Sequence, residues 1–235
     1  MSQSVLFPGI EPDFGRLLSV LRREGEPDRV PFIELFADIE VMPAVLDERP
    51  VVTRGSGDDD WTAIERGDRS VWAAMLDQRI RFCRAAAFDY VNVATPIPFT
   101  YKTAHTGDTA ELTKGERSWI EEGDGVITSV DDFERYRWPR PEEIDYYAFE
   151  YVSQNLPEGM KIIATTSGVL EYVMWLMGFQ AFSIALYEQP GLVAAMFEQM
   201  ERLFVPIYEA ISSVPEVGAV FLGDDMGFRS GTFIS

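Results

Sequence analysis

The sequence predicts an α/β fold in which short apolar strands alternate with helices around a parallel sheet. Four segments have the apolar composition of buried strands, and each follows a helical stretch: Arg29–Phe36, Tyr90–Thr95, Lys161–Thr166 and Gly218–Gly223. Alternation of strands with helices is typical of parallel sheets. Because parallel strands are apolar on both faces, the sheet must be covered on both sides or closed into a barrel.

The spacing of these strands favours an incomplete barrel. Successive strands start roughly 55 to 70 residues apart, whereas about 250 residues suffice for all eight units of a plain (β/α)8 barrel. Eight units of this size exceed the 235 residues of the chain. We therefore expect a single incomplete TIM-barrel domain over residues 1–235, containing about the first four βα units. An open half sheet leaves strand edges unpaired, so self-association is also expected.

Composition narrows the classes of partner. The chain has 20 Lys and Arg against 39 Asp and Glu, a formal charge of −19, which repels phosphate backbones and anionic lipid. Neither nucleic acid nor a membrane is therefore an expected partner. Cys83 is the only cysteine, so no intrachain disulfide can form, and residues 1–4 lack the basic start of a signal peptide. A cytoplasmic location is the expectation that follows.

Helical periodicity accounts for the segments before the second strand. Apolar residues at helical spacing predict a first helix over Phe14–Leu21. Asp38 is positioned to cap the next helix, which leads into a polar loop at Gly55–Asp60. The apolar face of Ser70–Ala87 predicts a long helix that delivers the chain to the second strand.

Residues 106–140 interrupt the alternation of strands and helices. Polar and apolar residues alternate in Ala110–Thr113 and Ser118–Glu121, which predicts a β-hairpin ribbon inserted after the second strand. Asp131 or Asp132 is expected to start a short turn after the ribbon. We expect the insertion to lie over the barrel mouth.

Three helices are predicted between the third and fourth strands. The first follows Ser167-Gly168 and ends near Gly178, and the second covers Phe179–Tyr187. The third runs from Pro190 to about Ser213. Proline suits the first turn of a helix, whereas the internal Pro206 is expected to kink it.

Polar residues at the carboxyl ends of the strands are the candidate site. In a parallel barrel these ends and the loops that follow them converge on one site, which selects Glu34, Thr95, Thr166, Asp224 and Asp225. For Glu34, a structural ion pair with a barrel cation is an equal alternative. The adjacent aspartates can hold a cationic group or a metal, or act as acid and base if their pKa values separate.

Strand alternation separates the two aspartates. Neighbouring side chains of an extended segment point in opposite directions. If Phe221 faces the covering helices, Leu222 and Asp224 face the pocket, and Asp225 bonds a turn or a cap. We therefore expect Asp224 to be the functional member of the pair.

Three further residues have side chains of the types that can take part in catalysis or binding. His105 is the only histidine, so any histidine-based catalysis within this chain must use it, although an exposed loop residue is the alternative within Lys102–Asp108. Tyr101 is expected to line the mouth together with His105, whereas Cys83 lies on an apolar helix face and is expected to be an inert core thiol. No Gly-x-Gly-x-x-Gly or Walker pattern follows a strand.

Several motifs together resemble the uroporphyrinogen decarboxylase-like superfamily. They are Arg29–Phe32, Thr113–Ile120, Asp131–Pro139, Gly223–Gly227 and Gly231–Ser235. The resemblance spans nearly the whole chain and implies a TIM barrel. It implies one of two activities, which are cofactor-free decarboxylation of a tetrapyrrole and methyl transfer to a corrinoid protein or a thiol, often through zinc.

Departures from the decarboxylase pattern favour methyl transfer. The decarboxylases resembled here carry an arginine-rich segment after the first strand, whereas this chain has Glu34–Asp38, and Thr95 stands where they have an aspartate. We therefore expect a methyltransferase-like enzyme that acts on a small methylated or methoxylated substrate, with zinc and a corrinoid partner as the candidate cofactor and acceptor. Uroporphyrinogen decarboxylase itself, and a non-catalytic binding protein or inactive fragment, are the alternatives. The metal ligands cannot be assigned from these residues.

Overall fold

A computed structural model describes residues 7, 9–34, 37, 41–51, 68–107, 116–120 and 123–234. Within these ranges the chain forms eight α-helices, a short 3-10 turn at Pro141–Glu143 and seven strands. The helices are α1 Phe14–Arg22, α2 Val41–Leu46, α3 Arg69–Ala85, α4 Val130–Arg135, α5 Tyr147–Asn155, α6 Val169–Met177, α7 Phe179–Glu188 and α8 Pro190–Ser212. The strands are β1 Tyr90–Ala94, β2 Thr103–Gly107, β3 Glu116–Ile120, β4 Lys161–Ser167, β5 Val217–Gly223, β6 Gly227–Phe228 and β7 Gly231–Thr232.

The centre of the fold is a three-stranded parallel sheet with the order β1-β4-β5. Val93 pairs with Ala164, and Ala164 pairs in turn with Val220. The central strand β4 is buried from Ile162 to Thr166, as expected of a parallel strand that is apolar on both faces. Three of the four predicted strands and the α/β class are therefore confirmed.

The predicted first strand is wrong over its described part. Residues 29–34 form no strand, while Leu35 and Phe36 lie outside the described residues. Instead, the Tyr90 hydroxyl holds this segment: it accepts a hydrogen bond from the Glu34 N–H at 2.7 Å and donates one to the Glu34 carbonyl at 2.6 Å. An apolar, β-branched composition favours a strand, but a strand also needs a neighbouring strand to hydrogen-bond with. Val30 and Ile33 are exposed here.

An antiparallel ribbon forms after β1. β2 pairs with β3, with His105 opposite Ser118, so one strand is Thr103–Gly107 and the other overlaps the predicted Ser118–Glu121. The predicted strand Ala110–Thr113 lies outside the described residues. His105 therefore occupies a strand, and its predicted position in a polar loop is wrong.

The predicted helices are largely confirmed, and side-chain caps explain several of their starts. Asp13 accepts a hydrogen bond from the Gly15 N–H at 2.9 Å at the start of α1. Ser129 caps α4, so the turn expected to start at Asp131 or Asp132 begins just before them. The helix α8 continues through Pro206. The predicted cap at Asp38 and the loop at Gly55–Asp60 lie outside the described residues.

A buried carboxylate ties the start of the chain to the sheet. Oδ1 of Asp89, just before β1, accepts hydrogen bonds from Arg16 Nη1 at 2.6 Å, Arg29 Nη2 at 2.9 Å and the Asp13 N–H at 2.9 Å. We call Arg16, Arg29 and Asp89 the Asp89 cluster. The Asp89 side chain is fully buried, and Arg16 also pairs with the exposed Asp28. The cluster therefore fixes α1 and the segment after it against the amino end of β1.

Within the described residues, no single helix is long and apolar enough to cross a membrane. The helices α6 and α7 reach that criterion only as a pair, which is bent by 96°.

One outer strand of the sheet keeps an apolar face uncovered. Val220 and Leu222 are 37% and 53% exposed, although their register partners Ala164 and Thr166 on β4 are buried. Paired residues of parallel strands share a face, so the same face is covered on the central strand and open on β5.

Asp89→Asn is expected to destabilise the fold by about 3 to 5 kcal/mol, because it leaves two arginines with no buried carboxylate to offset them. Denaturant unfolding monitored by circular dichroism measures this loss. The matched control is Glu11→Gln, which removes an exposed pair with Arg84 and should cost about 0 to 1 kcal/mol. Equal losses from the two substitutions would show that the Asp89 cluster does not hold the fold.

The open face of β5 is expected to drive self-association, because exposed apolar strand surface pairs with other chains. Sedimentation velocity should show concentration-dependent association of the wild-type chain, and Leu222→Lys should reduce it. Leu21→Lys on α1 changes a similarly exposed leucine and should leave association unchanged. A wild-type chain that stays monomeric over the whole concentration range would contradict this expectation.

Candidate functional site

The carboxyl ends of the three parallel strands lie at one edge of the sheet. Beyond β1, the Thr95 N–H donates to the Thr165 carbonyl at 3.2 Å, and beyond β4 the Gly168 N–H donates to the Gly223 carbonyl at 3.0 Å. The strands therefore remain in register where the polar residues begin. We call the residues at this edge the strand-end site, and they are Thr95, Thr166, Ser167, Glu171, Asp224 and Asp225.

The carboxylate of Asp224 is bonded to the first turn of α6. Its Oδ2 accepts a hydrogen bond from the Leu170 N–H at 3.1 Å, and its Oδ1 accepts one from the Glu171 N–H at 2.9 Å. The first N–H groups of a helix have no partner within the helix, and a carboxylate also interacts favourably with the helix dipole. Asp224 therefore caps α6 from the loop that follows a neighbouring strand.

The expected orientation of the aspartate pair is wrong. Leu222 pairs with Thr166, whose hydroxyl lies 3.2 Å from the Tyr208 hydroxyl of α8, so Leu222 faces the helices. Asp224 lies two residues further along and bonds α6, on the same side. The cap expected of Asp225 is made by Asp224, and Asp225 is exposed to solvent.

Close packing explains the glycine that precedes α6. A Cβ atom on Gly168 would overlap the Cβ and Cγ atoms of Asp224. Only glycine allows the chain to pass so close to this carboxylate, which gives Ser167-Gly168 a specific structural role.

Glu171 is a half-buried acid beside the two aspartates. Burial is the main reason why its pKa lies above its ordinary value, and the negative charges of Asp224 and Asp225 raise it further. Hydrogen bonding from the Ser167 hydroxyl and the Gly168 N–H partly opposes this rise. Glu171 therefore holds its proton to a higher pH than an exposed glutamate.

Aromatic side chains border this acid. The rings of Tyr101 and Trp175 have centroids 5.7 Å apart, and those of Phe99 and Tyr172 are 4.9 Å apart. Burial raises the pKa of Tyr172 to about 12 and that of Tyr101 further, and the charge of Glu171 adds to both shifts. These phenols therefore stay protonated at neutral pH, where they can donate hydrogen bonds.

Two threonines complete the strand-end site. Thr166 is buried, and its hydroxyl contacts Tyr208, whose pKa is raised chiefly by burial. Thr95 is also buried, and within the described part of the chain its Oγ1 has no hydrogen-bond partner. An unpaired buried hydroxyl is costly, so this atom is available to a bound polar group.

The structure brings some predicted site residues together and leaves others apart. Thr95, Thr166, Asp224 and Asp225 share the strand-end edge, and Tyr101 lies close enough for the Glu171 charge to affect its pKa. The exposed Glu34 is held through its backbone at Tyr90, the first residue of β1, rather than at the strand ends.

Glu171, Ser167 and Tyr172 were missed by the sequence reasoning. Their position could have indicated them, because they lie between the last residue of β4 and five residues beyond it, in the loop and first turn where side chains of a parallel barrel meet. Only residues inside or directly after the predicted strands were considered, which excluded an acid on the following helix.

Metal and thiol chemistry have little support in the described residues. Among them, no group of three or more His, Cys, Asp or Glu side chains is arranged to hold a metal ion. Cys83 is buried in the core, and burial raises its pKa to about 12, so the thiol is not activated.

Comparison with known proteins yields no relative. The chain matches no family model, no curated protein and no solved structure.

Asp224→Ala is expected to destabilise the protein by about 1 kcal/mol, because the Leu170 and Glu171 N–H groups lose their acceptor. Thermal or denaturant unfolding measures the loss. Asp225→Ala is the matched control: it removes an adjacent, exposed carboxylate and should change stability by no more than about 0.5 kcal/mol. A larger loss from Asp225→Ala would reverse the roles assigned to the two residues.

Proposed function

We propose that this chain is a methyltransferase-like enzyme of the uroporphyrinogen decarboxylase-like superfamily. It moves a methyl group from a small methylated or methoxylated substrate to a nucleophilic acceptor, either a corrinoid or a thiol. The observation that carries the proposal is the half-buried Glu171, which the bond from its N–H to Asp224 holds at the carboxyl edge of a parallel sheet. A carboxylic acid whose pKa is raised above its ordinary value can protonate the heteroatom that leaves when a methyl group is removed.

The barrel part of the proposal is supported by strand order. Strands β1, β4 and β5 are neighbours in the order in which parallel strands follow along the chain, and helices separate them in sequence. Each (β/α) unit of a TIM barrel adds its strand beside the previous one in the same way. The open apolar face of β5 fits a sheet that further strands and helices extend. We propose that these strands are three consecutive strands of a (β/α)8 barrel.

The charge of the strand-end site argues against a polycarboxylate substrate. Asp224 and Asp225 lie close enough to Glu171 to raise its pKa, and no cation is among the groups that shift the pKa of Glu171. Binding of several substrate carboxylates requires arginine or lysine at the site. A neutral or cationic small molecule suits this edge better than a porphyrin precursor.

Zinc does not fit the described residues, because they hold no suitable group of three ligands. We therefore derive no step through a metal. The acceptor supplies only the electron pair that attacks the methyl carbon. The residues of this chain bind the substrate between aromatic walls and hold a proton near the leaving atom.

Ligand binding tests the substrate class. Titration of the purified chain with methoxylated aromatic compounds should quench the fluorescence of Trp175, which lies beside Tyr101 and Tyr172. The Trp175→Phe variant should lose this signal, whereas Trp72→Phe, on α3, should keep it. Uroporphyrinogen should not bind, because the acidic site repels it.

Incubation with the same methoxylated compounds and reduced cobalamin tests the reaction. The proposal predicts a demethylated product and a methylated corrinoid, both detected by chromatography. Salt-sensitive binding of uroporphyrinogen followed by loss of its carboxyl groups would overturn methyl transfer in favour of decarboxylation. Binding without turnover of either compound would favour a non-catalytic binding protein.

A further inference from the structure

The outer edge of β5 carries main-chain groups that no strand uses within the described residues. In the order β1-β4-β5, this strand pairs only with β4. The Gly223 carbonyl accepts a hydrogen bond from the Gly168 N–H just beyond β4, and successive residues of a strand direct their main-chain groups to opposite edges. The N–H and C=O groups of Val220 and Leu222 therefore point away from β4, toward an open edge.

The opposite edge of the sheet is occupied by a side chain. The Thr95 N–H donates to the Thr165 carbonyl, so alternation directs the main-chain groups of Asn92 to the outer edge of β1. Arg79 of α3 donates from Nη1 to the Asn92 carbonyl at 3.3 Å. A strand added to β1 would have to displace this arginine. In the described sheet, β5 is therefore the edge that can gain a strand.

A segment on the β1 side of the molecule has the composition of a strand but no ladder partner among the described residues. Val30 and Ile33 are 77% and 53% exposed. The next residue, Glu34, is held through its main chain by the Tyr90 hydroxyl of β1. Since β1 and β4 separate the segment Val30–Ile33 from β5, the two cannot pair within one copy of the chain. Each copy therefore offers an open edge on one side and an unpaired apolar segment on the other.

Charge distinguishes the two ways in which a second copy can pair with β5. Neither Val30–Ile33 nor Val217–Gly223 contains a charged residue, although the chain has a formal charge of −19. Antiparallel pairing of two β5 strands about Val220 would set Glu216 of each copy opposite Asp224 of the other, and like charges directly opposite each other are destabilising. Parallel pairing of β5 with Val30–Ile33 instead brings Glu216 to the end of the segment where Arg29 lies.

We propose that β5 of one copy pairs in parallel with Val30–Ile33 of a second copy, and that the reciprocal pairing closes a dimer. Two head-to-tail interfaces of this kind form a ring when the rotation between the copies closes. Parallel pairing places the carboxyl ends of both sheets at the same end of the ring, so the second copy borders the strand-end site on its open β5 side. The pairing depends on the edges of the sheet and not on the reaction proposed above.

Sedimentation velocity tests the closed dimer. The wild-type chain should form a dimer and no larger species, and salt should strengthen the dimer because it screens the repulsion between two chains of charge −19. A series of species that grows with concentration would overturn the closed ring. A chain that remains monomeric at every concentration would overturn the pairing itself.

Cross-linking of variants with one added cysteine tests which segments pair. Copies carrying Ile33→Cys are mixed with copies carrying Leu222→Cys, allowed to exchange and treated with a short bismaleimide, while the native Cys83 is buried and should not react. The mixture should yield a cross-linked pair, whereas neither variant alone should. Cross-linking of Leu222→Cys with itself would show that two β5 strands pair and would overturn the proposal. Leu21→Cys, at a similarly exposed position on α1, is the matched control and should not cross-link to Leu222→Cys.

Complementation between charged variants tests whether the pairing is reciprocal. Ile33→Lys and Leu222→Lys should each raise the dissociation constant of the dimer at least about tenfold, because a large apolar side chain is lost from the interface. Each variant keeps the surface that the other has lost, so an equal mixture should regain a dimer through one native interface. Circular dichroism checks that each variant is folded, and the cysteine variants decide the pairing if a lysine variant is not. A mixture of folded variants that associates no better than either alone would overturn the reciprocal pairing.

Discussion

The hydrogen bonds from the first turn of α6 to the Asp224 carboxylate are the interaction on which the strand-end site depends. They join the loop after β5 to the helix after β4, two parts of the chain that are separated by 53 and 54 residues. Parallel strands require long connections, so their carboxyl ends can be tied together only by bonds of this kind. Gly168 makes the approach possible because it carries no Cβ atom.

This cap also determines the electrostatics of the site. The carboxylate that satisfies the helix start lies next to Glu171, and its negative charge contributes to the raised pKa of that acid. The exposed Asp225 adds to the same effect. The cap of α6 and the raised pKa of Glu171 therefore share a cause, because several carboxylates lie together where two strands end.

Sequence reasoning predicted the repeating features of the fold and missed the specific contacts. Strands such as Lys161–Ser167 are recognisable because a buried parallel strand needs a continuous apolar run. The segment 29–34 has similar composition, yet it is held by the Tyr90 hydroxyl instead of by a ladder, and composition cannot distinguish these partners. The orientation of Asp224 depended on which N–H groups lie opposite it in space, and local strand alternation does not contain that information.

Amide hydrogen exchange at Leu170 and Glu171 tests the central interaction most directly. First-turn amides of a helix normally exchange quickly because they have no helical partner. The Asp224 cap predicts slow exchange at both amides compared with Gln180 and Ala181 of α7, which begins without a side-chain cap. Exchange at Leu170 and Glu171 as fast as at these α7 amides would contradict the account of the strand-end site.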